Sequence, residues 1–164
     1  MVPDTSGPLY LIQSFANTVG PGPDVDLLRT REEAAAWLRS AALLPDDAGL
    51  SNSEHAALFG LRESIRDVMA AHANGRQDGA AAARLTRALA DGRLVLTVDP
   101  ASDIQLASAA RASYPNLVAL VAIAVAQAAA SGGWLRLKLC PAPNCGRAFY
   151  DESGSGRCAR HAAG

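Results

Sequence analysis

Apolar side chains recur along most of this chain at intervals of three and four, the period of an amphipathic helix. Thr30-Arg31-Glu32-Glu33 reads as a capping box: the Thr hydroxyl accepts from a free amide while Glu33 reaches back. The helix it opens sets Trp37, Leu38, Ala41 and Leu44 on one face and stops at Pro45. Ser51-Asn52-Ser53-Glu54 repeats the device, before a helix with Leu58, Leu61, Ile65, Val68, Met69 and His72 at helical spacing; Asn74-Gly75 ends it. Asp78 caps a third helix that runs through Leu85 and Leu89 to a stop at Asp91-Gly92. From Ser113 to Ala130 the pattern is apolar almost all round, interrupted by Asn116 and Gln127, and this predicts a central, buried helix. Ser131-Gly132-Gly133 break it.

Three segments follow a shorter period. Leu9 to Phe15 (LYLIQSF) is read as a strand, after a loose leader over residues 1–8 and before a turn-rich run from Val19 to Asp24. Leu94 to Val98 (LVLTV) is read as a short strand. Trp134 to Leu139 alternates, with Leu135, Leu137 and Leu139 on one face and Arg136 and Lys138 on the other, which predicts a half-buried strand. The pattern as a whole implies a helix-rich α+β fold: a helical bundle with a small antiparallel sheet. Residues 1–133 are expected to form the α/β domain and residues 134–164 a small C-terminal module.

Composition changes this picture modestly. Hydrophobic residues make up 49% of 164 and aromatics only 5%, so alanine supplies much of the core and helices must pack closely. Arginine outnumbers lysine, of which Lys138 is the sole example, as in a bacterial genome rich in G and C. The formal charge of −1 is unevenly spread. Arg136, Lys138, Arg147, Arg157 and Arg160 outweigh Asp151 and Glu152 at the C-terminal end, which gives either a phosphate-contacting surface or an ordinary solvated one. Leu117 to Ala130 is too short and too alanine-rich to cross a bilayer. The N-terminus lacks a basic n-region, so no secretory signal is read and a cytoplasmic setting is expected.

The strongest chemical signal is Cys140, Cys145, Cys158 and His161, spaced C-x4-C, twelve residues, C-x2-H. All three cysteines of the chain lie here, an odd number that suits metal ligation better than disulfides. Three thiolates and one imidazole make a closed tetrahedral Zn²⁺ site, structural in type. Asp151, Glu152 or water are alternatives to His161, and reduced, metal-free thiols are the bland alternative. Gly146 is placed to take positive φ, and one helical turn would present Cys158 and His161 to the same ion.

Asn17 and Thr18, just after the first predicted strand, are candidate ligand contacts, as are Arg62 and Arg66, one turn apart and able to clamp an anion. Turn closure and ordinary ion pairing are the competing reading. Arg147, Arg157 and Arg160 are the candidate DNA contacts. His55 is expected at the surface and His72 in the core, with no nucleophile pattern near either, so enzymatic activity is not expected. Trp134 and Tyr150 flank the metal region as a candidate contact patch. The candidate partners are DNA, a small ligand and a second copy of the chain as a homodimer, with no membrane.

In order along the chain, Phe15-Ala16-Asn17-Thr18, Asp26-Leu27-Leu28, Ala36-Trp37-Leu38, Leu61 to Arg66, and Cys140-Pro-Ala-Pro-Asn-Cys145-Gly146 with Phe149-Tyr150-Asp151 resemble the ABATE-domain proteins that carry a C-terminal CGNR-type zinc finger. The resemblance implies a stress-induced transcription regulator with a zinc-stabilised module that contacts DNA. The alternative is a ligand sensor or interaction domain whose knuckle is purely structural. The chain departs from the family pattern at Ser14, where an acidic residue is usual, and at Ala163, where the family's fourth cysteine would fall. The Gly-Asn-Arg motif is absent and the Arg-rich run before the third cysteine shrinks to Arg157. His161 is therefore expected as the fourth ligand.

Overall fold

The computed structural model describes residues 7–20, 25–111 and 113–162. Among these, five α-helices and two small antiparallel sheets form a helix-rich α+β fold. The helices are α1 (Pro8–Ala16), α2 (Arg31–Ser40), α3 (Asn52–Ala73), α4 (Gly79–Leu89) and α5 (Tyr114–Ala130). Strands β1 (Leu94–Val98) and β2 (Ile104–Ser108) make one hairpin, paired from Leu94 with Ser108 to Val98 with Ile104. Strands β3 (Leu137–Leu139) and β4 (Ala148–Tyr150) make the other, paired from Leu137 with Tyr150 to Leu139 with Ala148.

Both capping boxes form. Thr30 Oγ1 accepts from the Glu33 amide at 3.1 Å while Glu33 accepts from the Thr30 amide at 3.0 Å. Ser51 and Glu54 reciprocate in the same way at 3.2 and 2.7 Å. Asp78 caps α4 by accepting from Ala81 at 2.9 Å. Each cap supplies about 1 kcal/mol by satisfying amides that the helix leaves unpaired. The expected central helix is α5, with Leu117, Val118, Val121 and Ala124 in a core shared with Ile12, Phe15, Leu38, Leu58, Leu61, Ile65 and Met69.

The segment read as a first strand is instead helix α1. Pro8 occupies its first turn, where a fixed φ suits a helix and no N–H is missed. Its buried residues are Ile12, Phe15 and Ala16, spaced three and four apart, so burial follows the helical period and not alternation. Of the loose leader, residues 1–6 lie outside the described residues, and so do residues 21–24 of the turn-rich run. Trp134 to Leu139 is also only half a strand. Trp134–Arg136 form a 3-10 turn and leave Leu135 exposed; only Leu137–Leu139 pair with β4. Strands β2 and β4 had no clear sequence signal. Among the described residues no helix is long and apolar enough to cross a membrane.

The C-terminal hairpin does not stand apart from the helices. Leu137 and Ala148 are fully buried in the helical core, while Cys140, Phe149 and Cys158 form a smaller cluster beyond it. The loop between Leu139 and Ala148 is thereby fastened to the bundle by both strands that carry it.

Candidate metal centre

Strand β3 delivers Cys140, and β4 leaves just after Cys145-Gly146-Arg147. The turn between them is closed by the Cys140 amide donating to the Arg147 carbonyl at 2.8 Å and the Cys145 amide donating to Ala142 at 3.0 Å. Two consecutive reversals make so tight a loop feasible: Asn144 has φ 58° and Gly146 φ 54°. Asparagine and glycine are the residues that enter this region most readily. Cys158 and His161 come from a single turn, not a helix, in which the His161 amide donates to the Cys158 carbonyl at 2.8 Å.

The four expected ligand atoms converge. The sulfurs of Cys140, Cys145 and Cys158 and a ring nitrogen of His161 all lie within 4.8 Å of one another. His161 Nδ1 is 3.5 Å from Cys140 Sγ and 3.3 Å from Cys158 Sγ, and Cys145 Sγ is 3.8 Å from Cys158 Sγ. Tetrahedral zinc with ordinary bond lengths would set its ligands roughly 3.5 to 3.8 Å apart, so the donor set fits. The sulfurs are far beyond disulfide length, and all three cysteines are free. Burial pushes the Cys140 thiol up, but the amides of Cys158 and Ala142 and the neighbouring thiols pull it down to about 6. Burial and the adjoining Cys140 push Cys158 up.

Neither acidic alternative to His161 is in this group. Asp151 is buried: its Oδ2 accepts from Lys138 Nζ at 2.7 Å and from the Gly156 amide at 3.1 Å, while Oδ1 has no partner among the described residues. Burial alone would raise its carboxyl, yet Lys138 and the amides hold it below the usual carboxylate range. It thereby shapes the loop that returns to Cys158. Arg147, Arg157 and Arg160 are all exposed around the centre, as DNA contacts would have to be.

Asn17, Thr18, Arg62 and Arg66 also come together, but as an interior network. Thr18 Oγ1 donates to Phe15 at 2.8 Å and accepts from Arg62 at 3.2 Å. Arg62, 1% exposed, grips both carboxylate oxygens of Asp26 at 2.5 and 2.8 Å, donates to Glu63 at 2.8 Å and stacks 4.3 Å from the Phe59 ring centroid. Arg62 holds the Asp26 carboxyl below its ordinary range, against the effect of burial. Asn17 pairs with the backbone of Ala148. Arg66 donates to Ala16 at 2.8 Å, satisfying a free carbonyl at the end of α1, and to Gly146 at 3.0 Å, inside the knuckle. The two described surface cavities are lined by other residues.

These contacts dock the knuckle on the bundle, a role that no local pattern announced. His72 joins them: its ring is half-buried, with Nδ1 donating to the Leu137 carbonyl at 2.9 Å and an edge-on contact with Trp134 at 5.2 Å. Burial lowers its pKa despite that bond, which favours the neutral core histidine expected from its position. His55, expected at the surface, is half-buried and bonds the Leu28 carbonyl at 2.8 Å, linking α3 to the loop that carries Asp26.

Fold and site together define a helical domain with a three-cysteine, one-histidine knuckle seated on it. Residues 10–132 match the ABATE family, described as "putative stress-induced transcription regulator", and the chain belongs to that family. That description fits a regulatory role. No curated protein matches the chain.

Proposed function

We propose that this protein is a transcription regulator whose C-terminal knuckle holds one structural Zn²⁺ and contacts DNA through phosphates. The observation that carries the reading is the convergence of Cys140, Cys145, Cys158 and His161 within 4.8 Å. Four protein donors close the coordination sphere, so the ion acts as a staple and leaves no position for a reacting water. Zinc supplies the cross-link. The chain's own contribution is to hold the loop in register through Gly146, Asn17 and Arg66.

Arg147, Arg157 and Arg160 surround the staple with three exposed cations. Three phosphate contacts give a salt slope of roughly −2.7 in log K against log salt, which makes DNA binding by one chain modest. Nothing in this set reads base edges, so sequence preference would require additional residues or a second copy.

The test begins with elemental analysis of the purified full chain, expected to return one zinc per chain and none for Cys145→Ala. A Cys145→Ala variant with full zinc stoichiometry would sink the ligand assignment. Duplex binding is then followed by fluorescence anisotropy at several salt concentrations. Arg157→Ala should lower the slope by about one unit. A wild-type chain with full zinc and no salt-dependent DNA binding would leave the knuckle structural and remove the DNA reading.

A further inference from the structure

The hairpin β1–β2 contains no charged residue in either strand, and its side chains are sorted by face. Cross-strand partners point the same way, so Leu94, Leu96, Val98, Ile104, Leu106 and Ser108 share one face. That face is open: Leu96 and Ile104 are each 68% exposed and Val98 65%, while Leu94 and Leu106 nearer the base are 40% and 37% exposed. The base is held firmly. A Cβ on Gly92 would lie 2.9 Å from the Ala119 amide nitrogen, so the chain touches α5 just before β1 begins. The far end projects. An isolated two-stranded hairpin is only marginally stable in water, and an exposed apolar sheet face normally marks an interaction site.

We propose that this face is the contact between two copies of the chain, stacked about a two-fold axis with the hairpins antiparallel. Two observations select a second copy as the occupant. The first is charge. Asp99 and Asp103 lie at the exposed tip, and Arg93 and Arg111 at the exposed base. Antiparallel stacking sets the acidic tip of each hairpin against the basic base of the other, and a two-fold axis makes that match twice. The second is area. The five apolar side chains leave on the order of 500 Å² to solvent, so a symmetric pair removes roughly 1,000 Å², the lower limit of a specific interface. The overall charge of −1 sets no strong repulsion against pairing. Such a dimer also presents two knuckles, and hence two sets of arginines, to one partner.

The experiment is sedimentation of the full, metal-loaded chain over concentrations from ~1 to ~100 µM. The expected result is a monomer–dimer equilibrium. Leu96→Glu, at a position largely open to water, should weaken it at least about tenfold with the helical circular dichroism and zinc content unchanged. Arg93→Asp should weaken it as well, and Arg93→Asp combined with Asp103→Arg should restore it. A wild-type chain that stays monomeric at the highest concentration overturns the proposal and leaves the face to a partner of different chemistry. A Leu96→Glu variant that dimerises as strongly as wild type overturns it by moving the interface elsewhere. Failure of the double charge reversal to restore pairing overturns the antiparallel arrangement.

Discussion

Asn17 and Ala148 exchange two hydrogen bonds across 131 positions of chain: the Ala148 amide donates to Asn17 Oδ1 at 2.8 Å, and Asn17 Nδ2 donates to the Ala148 carbonyl at 2.8 Å. The carboxamide completes the edge of β4 as a neighbouring strand would. It also sits at the C-terminal cap of α1, so one side chain joins the first helix to the last strand. Replacing it by Ala strands both polar groups of a fully buried residue. Asn17→Ala should cost about 2 kcal/mol or more, read from urea unfolding of the metal-loaded chain. Asn17→Asp keeps the acceptor but sets a carboxylate against the Ala148 carbonyl, so it should destabilise at least as much. A neutral Asp variant would contradict the pairing.

The Arg62–Asp26 pair differs in kind from the surface pairs. Its guanidinium side chain is 1% exposed, whereas Arg84 and Asp67 are 45% and 46% exposed. Removing one partner of a buried pair leaves a charge without compensation. Asp26→Ala should cost about 3 kcal/mol, reduced where Glu63 and Phe59 still hold the guanidinium. Asp67→Ala should cost less than about 1 kcal/mol. Paired chemical denaturation curves decide it, and equal costs would mean that water reaches Arg62.

Asp26 also sets an acid dependence. Its hydrogen bonds from Arg62 lower its pKa in the folded state. A depressed carboxylate contributes stability above its unfolded value, about 4, and loses that contribution as pH falls through the lower folded value. Stability should therefore drop below about pH 4, and Asp26→Asn should flatten part of that drop. An unchanged acid limb in Asp26→Asn, measured by thermal melts across the range, would assign the loss to other carboxylates such as Asp151.

Gly146 joins backbone strain to docking. Its φ is 54°, and an added Cβ would lie 3.3 Å from Arg66 Nη2. Gly146→Ala should cost about 1–2 kcal/mol from the left-handed conformation alone. It should also speed zinc release to a chromogenic chelator, because the Arg66 bond to the knuckle is disturbed. Zinc release at the wild-type rate would separate the metal site from the docking contact.

Metal removal tests how far the staple reaches. A strong chelator should loosen residues 140–162 and leave the helical circular dichroism nearly intact, since the helical core is built on side chains from all five helices. Hydrogen exchange should show lost protection around Cys140 and Cys158, with α3 and α5 still protected. Loss of protection throughout α3 would mean that the knuckle is required for the bundle itself.

Local chemistry made part of this protein readable in advance. Thr30 with Glu33 and Ser51 with Glu54 are short-range devices, so α2 and α3 begin where the residues indicate. The candidate metal ligands were readable because three cysteines and a histidine at that spacing suit a shared ion, and the fold brings their donor atoms within 4.8 Å of one another. At α1, LYLIQSF is apolar enough for either period, and burial of Ile12, Phe15 and Ala16 against the other helices decides for the helix. Strand β4 has only three residues, and β2 (IQLAS) lacks the β-branched density that marks β1 (LVLTV), so neither stands out from a loop. They exist through their partners.

What the residues determined by themselves was therefore the starts of α2, α3 and α4, the apolar character of α5 and the grouping of three cysteines and a histidine as candidate metal ligands. Each depends on interactions within a few positions or on intrinsic ligand chemistry. Only the tertiary structure decided the tasks of Asn17, Arg62, Arg66 and His72. Their polar atoms look free in one dimension, and each could equally have met a ligand, a solvent-exposed partner or the backbone. Long-range packing brought Ala148, Asp26, Gly146 and Leu137 within hydrogen-bonding reach of them. A hydrogen bond forms between groups that the fold makes adjacent, and adjacency across 131 residues is not encoded in either neighbourhood alone.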